Sequence, residues 1–306
     1  MYEYASNRVP LRQLSQQPGV LAVIVQTLGA SYRTVGTMMA FLANGTRVGS
    51  LSSGCIEDDI AEHANTALAT GQAQTLRYGT GSPFFDLKLP CGGGLSILLI
   101  PNPDAALLRQ VLSLGQDRRV VHLSIDLQTG DLRVLDLAQD LDGRLLVTMQ
   151  PELRFWVYGH GVEAIAFASM AHAAGYDVTL YGQQNLQADL SRLGGLRVET
   201  VTSFRSYACP KPDNRTAVAL FFHDHENEAR ILSQFLTMDA LFIGAQGSLL
   251  ARQRLLADLR ALGVADEYIA RLRPEFGLIP SCRDPRTLAV SVMAHVLSIA
   301  DARHAR

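Results

Sequence analysis

The chain changes its rhythm near Pro151, and a glycine signature follows almost at once. From Arg154 onward, short apolar runs alternate with stretches of helical spacing: residues 155–157, 163–174, 178–181, 217–222, 239–243 and 249–262. Strands alternating with helices of this length build βαβ units and a parallel sheet. The first strand leads into Gly159-His160-Gly161-Val162-Glu163-Ala164, and a helix follows. In that setting the first glycine permits a tight turn and the second lets the backbone approach an anion. Ala164 allows close helix–strand packing. The helix start adds unpaired N–H groups suited to a phosphate. Residues 151–306 are therefore expected to form a Rossmann-like domain, with Gly159, His160, Gly161 and Glu163 at its ligand-facing turn. A dinucleotide site also wants an acid about 20 positions on, at the end of the second strand. That strand ends Thr179-Leu180-Tyr181-Gly182, without an acid, so NAD(P) fits poorly.

Residues 1–150 read differently. Residues 20–25, 38–43, 47–51 and 95–100 are strand candidates, and 55–69 has helical spacing with Gly71 as its stop. Residues 120–127 and 132–137 flank Gln128-Thr129-Gly130-Asp131 as a hairpin. The expectation is an α/β domain with a mixed sheet. At the far end, Asp284 and Pro285 mark the N-cap and first position of a last helix striped by Leu288, Val292, Val296 and Ile299.

The net charge of −2 argues against a nucleic-acid or membrane-surface partner held by general electrostatics. No apolar run approaches a membrane span, and Met1-Tyr2-Glu3-Tyr4 has no signal-peptide character, so a cytoplasmic protein is expected. The four cysteines lie far apart and read as thiols. Two have unusual settings. Cys55 follows Gly49-Ser50-Leu51-Ser52-Ser53-Gly54 at a helix start, where the helix dipole favours thiolate, although Glu57, Asp58 and Asp59 oppose it. Cys91 precedes Gly92-Gly93-Gly94, whose N–H groups suit an anion-binding nest. Each also fits plain burial of a small residue. Cys209 and Cys282 read as structural.

In this order the motifs resemble the xanthine dehydrogenase accessory protein family (XdhC/CoxI). The residues carrying the resemblance are 29–36, 48–57, Leu89-Pro90-Cys91-Gly92-Gly93, 157–164, His223-Asp224, 242–248 and Gly277-Leu278-Ile279-Pro280. Ser53 departs from the pattern, standing where the family usually has glycine. The resemblance implies a chaperone that binds molybdenum cofactor (molybdopterin), protects it during sulfuration and delivers it to a xanthine dehydrogenase-type molybdoenzyme. It also implies a homodimer, and a cysteine desulfurase and cofactor-biosynthesis proteins as partners. Cys55 and Cys91 then become possible molybdenum ligands, since soft sulfur suits such a metal. Gly54, Gly92 and Gly93 flank them. The phosphate would rest on Gly159–Ala164 or on Gly244-Ala245-Gln246-Gly247-Ser248.

His223-Asp224-His225-Glu226 lies at a strand's carboxyl end, where ligands bind in open α/β sheets. Capping of the helix at 229–236 by Asp224 competes with a functional role for His223 and Asp224. Ser248 is likewise a natural N-cap, and Arg33 is either an anion contact or a surface arginine. No P-loop, H-E-x-x-H or G-x-S-x-G occurs, and no acid–base–nucleophile set is evident. The resemblance implies an accessory protein without turnover of its own. The alternative is an NAD(P)-dependent oxidoreductase using the Rossmann-like half.

Overall fold

The computed structural model describes residues 6–52, 54, 56–79, 93–183, 195–222 and 227–304. The chain divides into two compact units, Met1–Pro151 and Glu152–Arg306.

In the first unit, residues 19–24 are buried one after another. A strand with such a run must be covered on both faces. This strand, β1 (Gly19–Leu28), pairs with β2 (Met38–Leu42) and β5 (Gly94–Pro101). With β3 (Arg47–Gly49) and β4 (Gln74–Gly79), the order is β3-β2-β1-β5-β4. Every described pairing is antiparallel, so the expected mixed sheet gives way to an antiparallel one. The reason lies in the connections. Neighbours β1, β2 and β3 follow one another without a crossover, as do β4 and β5, and such neighbours run antiparallel. The one helical crossover, α2 (Glu57–Thr70), joins β3 to β4 at opposite edges, where they do not pair.

Helix α2 ends where the glycine signal places its stop: Gly71 is left-handed (φ 67°) and donates its N–H to the Ala67 carbonyl. Its Ile60, Ala64 and Ala67 pack on Val20, Ala22, Ile24, Ile97 and Leu99. The other face is covered by α1 (Arg8–Leu14), α3 (Ala105–Gln116) and a small antiparallel sheet, β7-β6-β8. Its strands are β6 (Val121–Asp126), β7 (Leu132–Leu135) and β8 (Arg144–Met149). The predicted hairpin joins β6 to β7, with the Asp126 carboxylate accepting the N–H groups of Gln128 and Thr129 at 3.0 and 2.8 Å.

The second unit is Rossmann-like, as expected. Strands β9 (Arg154–Gly159), β10 (Asp177–Gly182), β11 (Arg197–Thr200), β12 (Thr216–Phe221) and β13 (Phe242–Ala245) form a parallel sheet in the order β11-β10-β9-β12-β13. Helices α4 (Val162–Ala173) and α8 (Pro285–His304) share one core with Phe155, Phe167, Phe221 and Phe242. Helices α5 (Glu228–Phe235) and α6 (Leu249–Ala261) cover the other face over Trp156, Tyr158 and Leu220, with the short α7 (Asp266–Ile269) beside them. Asp284 caps α8 as predicted, accepting the Thr287 N–H at 3.0 Å, a bond that holds its carboxyl below the usual range.

His295 on α8 packs edge-on against Phe242 at 5.4 Å, and its buried Nδ1 has no hydrogen-bond partner among the described residues. Burial lowers its pKa, and Arg273 lowers it further, against a smaller opposing effect of Glu275. The folded pKa thus lies below the unfolded value of about 6.5. The unfolded chain takes up the proton first, so this group's contribution is whole above that value and is lost as the pH falls. Urea unfolding at pH 7 and pH 5 is expected to show a smaller pH-dependent loss of stability in His295→Gln than in the unsubstituted protein.

Candidate functional site

The two cysteine-bearing segments leave the same edge of the first sheet. Register places them there: Val23 faces Met38, Met39 faces Gly49, and Gly94 pairs with both Leu28 and Gly79. The ends of β1, β3 and β4 and the starts of β2 and β5 therefore share one edge. Segment 50–56 follows β3 there, segment 80–93 joins β4 to β5, and segment 29–37 joins β1 to β2. Cys55, Cys91 and Gly92 themselves lie outside the described residues, as does Ser53. Gly54 is exposed with φ 100°, a conformation that favours glycine. Gly93 has no room for a side chain, because a Cβ would sit 2.1 Å from the Ala30 carbonyl oxygen. The segment carrying Cys91 thus ends with its backbone pressed against that of residues 28–30.

One carboxylate organises the other segment. Glu57 Oε1 accepts the Ser50 hydroxyl at 2.9 Å and the N–H groups of Leu51 and Ser52 at 2.9 and 3.1 Å. The Ile56 N–H in turn reaches Ser52 Oγ at 3.4 Å. Two residues on, Asp59 accepts the hydroxyl of buried Tyr78, tying the first turn of α2 to the end of β4. Burial and this bond push the Tyr78 phenol upward in pKa. In the sequence Glu57 reads only as one of three acids at a helix start. Its role as a clasp depends on the returning turn, which residue spacing does not show.

The second unit gathers its candidates at the carboxyl edge of the parallel sheet. The strand order reverses between β9 and β12, which makes the crevice there the switch point where such sheets bind ligands. Gly159 pairs with Phe221, and a Cβ on it would lie 2.1 Å from the Phe221 carbonyl oxygen. Gly161 (φ 98°) is the N-cap of α4 and makes no side-chain cap bond. His160 is exposed, with its ring 6.4 Å from that of Phe222, and Glu163 stands in the first turn of α4. His223 and Asp224 lie outside the described residues. The helix after them starts at Glu228 with Asn227, not Asp224, in the N-cap position.

At the end of β13, Gly244 is hemmed in by the rings of Phe242 and Phe276, which a Cβ would approach to 2.6 and 2.8 Å. Ser248 caps α6 by accepting the Ala251 N–H at 3.2 Å. Beside it, Glu228, Gln246, Gly247, Arg252 and Phe276 line a cavity of about 40 Å³, a space for water-sized guests and far too small for a pterin. Buried Glu228 and the buried Gln246 Oε1 are features that sequence reading missed, because neither belongs to a glycine motif.

Where a dinucleotide site would place an acid, Tyr181 is instead buried. Its ring stacks on Tyr158 at 4.5 Å within a cluster that includes Trp156, Phe204 and Tyr207. Cys209 lies partly buried at this cluster, and burial pushes its thiol up to about 12, which suits packing. Cys282 donates to the Ile279 carbonyl at 3.2 Å. Among the described residues, no group of three or more His, Cys, Asp or Glu side chains is placed to hold a metal, and no helix is long and apolar enough to cross a membrane.

Two family models match the chain: "XdhC and CoxI family" over residues 13–79 and "XdhC Rossmann domain" over residues 155–296. The molybdenum cofactor insertion chaperone PaoD of Escherichia coli K12 is 33% identical over 290 residues, covering 94% of this chain and 85% of that protein. The chain belongs to the XdhC and CoxI family. A second relative, a probable xanthine dehydrogenase component from Bacillus subtilis 168, is 22% identical over 92% of this chain and 93% of its own length. A solved structure described as a xanthine dehydrogenase from Bacillus halodurans superposes with a TM-score of 0.79 at 22% identity, covering 97% of this chain and 96% of that one. The XdhC and CoxI fold therefore extends over essentially the whole chain.

Two substitutions probe how this family member holds its edges. Glu57→Ala removes the acceptor of three hydrogen bonds and is expected to cost about 2 kcal/mol in denaturant unfolding. It should also raise amide exchange across residues 50–56. Gly159→Ala forces its Cβ against the Phe221 carbonyl at positive φ and is expected to lower stability by roughly 3 kcal/mol. A loss below about 0.5 kcal/mol, within the range of ordinary surface changes, would mean that the close approach to Phe221 is not what requires glycine.

Proposed function

We propose that this protein binds molybdenum cofactor and delivers it to a molybdoenzyme of the xanthine dehydrogenase type, protecting it while its sulfido ligand is installed. The observation that carries the reading is the likeness to PaoD, a molybdenum cofactor insertion chaperone, across 94% of the chain. The geometry agrees with a cargo of this kind. Glycine-bounded segments bearing Cys55 and Cys91 arise at one sheet edge, where two thiolates would offer soft donors to the metal. Gly54, Gly92 and Gly93 flank those cysteines in the sequence. In the second unit, the backbone at Gly159, His160 and Gly161 and the loop from Gly244 through Gly247 to Ser248 offer amides to a phosphate. His160, Glu163, His223 and Asp224 would supply polar contacts to the cofactor.

The role is binding, shielding and release, and it requires no acid–base machinery of the protein's own. The sulfur would come from a cysteine desulfurase partner, and the working form would be a cytoplasmic homodimer. The buried Tyr181 ring gives no support to an NAD(P)-dependent activity, since it offers no carboxylate to a ribose.

Purification from a host that makes the cofactor is expected to yield protein carrying pterin, detected by fluorescence after oxidation, and molybdenum. Replacing Cys55 and Cys91 together with alanine should deplete molybdenum. NAD(P) binding in calorimetry, with no pterin in the purified protein, would reverse the reading.

A further inference from the structure

Segment 29–37 belongs to the same sheet edge but has no part in the reading above. It is firmly held on both flanks. At one end, Ala30 lies against Gly93 so closely that no Cβ fits between them. At the other, the Gly36 N–H bonds the Ile24 carbonyl at 2.8 Å, and Asn7 Nδ2 donates to the Gly36 carbonyl at 2.9 Å. Asn7 Oδ1 also accepts the Met38 N–H at 2.9 Å. Between these anchors, Ser31 knots the tip: its hydroxyl donates to the Arg33 carbonyl at 2.7 Å and accepts the Arg33 N–H at 3.3 Å.

The tip presents an aromatic ring and a cation. Tyr32 is 65% exposed, and Leu28 and Val35 beside it are 42% and 41% exposed. Arg33 is partly buried, yet among the described residues its guanidinium takes part in no hydrogen bond or ion pair. A guanidinium that no other side chain engages is available to pair with an anion. Tyr32, the preceding residue, exposes an aromatic ring on which a flat ligand can stack.

We infer that Tyr32 and Arg33 form a binding lip for a flat, anionic heterocycle, the ring lying on Tyr32 and the anionic group facing the Arg33 fork. The inference rests on the cargo reading above and deepens it, because a pterin bearing phosphate and an oxo-metal centre has this chemistry. The two anionic groups are distinguished by the test. Arg33→Gln, Arg33→Lys and Tyr32→Leu are produced in the cofactor-making host, and pterin and molybdenum per chain are measured beside thermal melting. Losing a charge-assisted contact should cut pterin retention about tenfold in Arg33→Gln, with Arg33→Lys in between. Tyr32→Leu should lose about threefold.

The apo protein is also titrated calorimetrically with sodium molybdate and, separately, with inorganic phosphate. Heat that Arg33→Gln abolishes with molybdate alone assigns the metal end to the lip; with phosphate alone, the phosphate end. Retention in Arg33→Gln equal to the unsubstituted protein overturns the inference. If the unsubstituted protein carries no pterin, the cargo reading fails by itself. The anion titrations then decide the lip, and equal heats with and without Arg33 overturn it.

Discussion

The tightest constraint in this molecule is backbone pressed on backbone at strand ends. Gly159 pairs with Phe221 so closely that a single methyl group would collide with the neighbouring carbonyl. That contact lets β9 turn into α4 while its last residue still pairs with β12, and the crevice at the reversal of strand order exists because of it. The first unit repeats the device, with Gly93 against Ala30 at the junction of β1 and β5. In both units the absent side chain brings two chain segments within reach of one edge.

Around those contacts, ordinary packing does the stabilising. Both central strands, β1 and β9, are covered on both faces, so their registers cannot slip without exposing apolar side chains. The polar work is confined to the edges. Glu57 satisfies three donors in the segment before α2, and Ser248 and Asp284 cap their helices. The aromatic cluster under Tyr181 shows the same economy, since it fills with packed rings a place where many Rossmann folds put a ribose-binding acid.

Much of the second unit was legible from residue order alone. The alternation of strands and helices, the Gly159–Ala164 turn and the Asp284–Pro285 helix start each have a local signal, and each lies where that signal puts it. The first unit was less legible. Strand β4, with the mixed sequence Gln74-Thr75-Leu76-Arg77-Tyr78-Gly79, alternates buried and exposed positions too briefly to stand out. Strand β8 is similarly half-covered. Without them, the hairpin of β6 and β7 had no third strand, and the first sheet lacked the strand whose end, Gly79, pairs with Gly94. Arg33 read first as a surface arginine, because its lack of a counter-charge among the described residues is a fact of three dimensions.

The sequence by itself determined where chain direction changes and where side chains had to be absent: glycines at positive φ, helix stops such as Gly71, caps, and the strand–turn–helix at residue 159. These are local because backbone dihedral limits and capping act within a few residues. Only the tertiary structure decided that the first sheet is antiparallel, that the ends of β1, β3 and β4 lie at one edge with the starts of β2 and β5, and that Glu57 closes a loop. Strand partners are chosen by burial on both faces between residues far apart in sequence, as Leu28 and Gly94 are, and no local signal carries that choice.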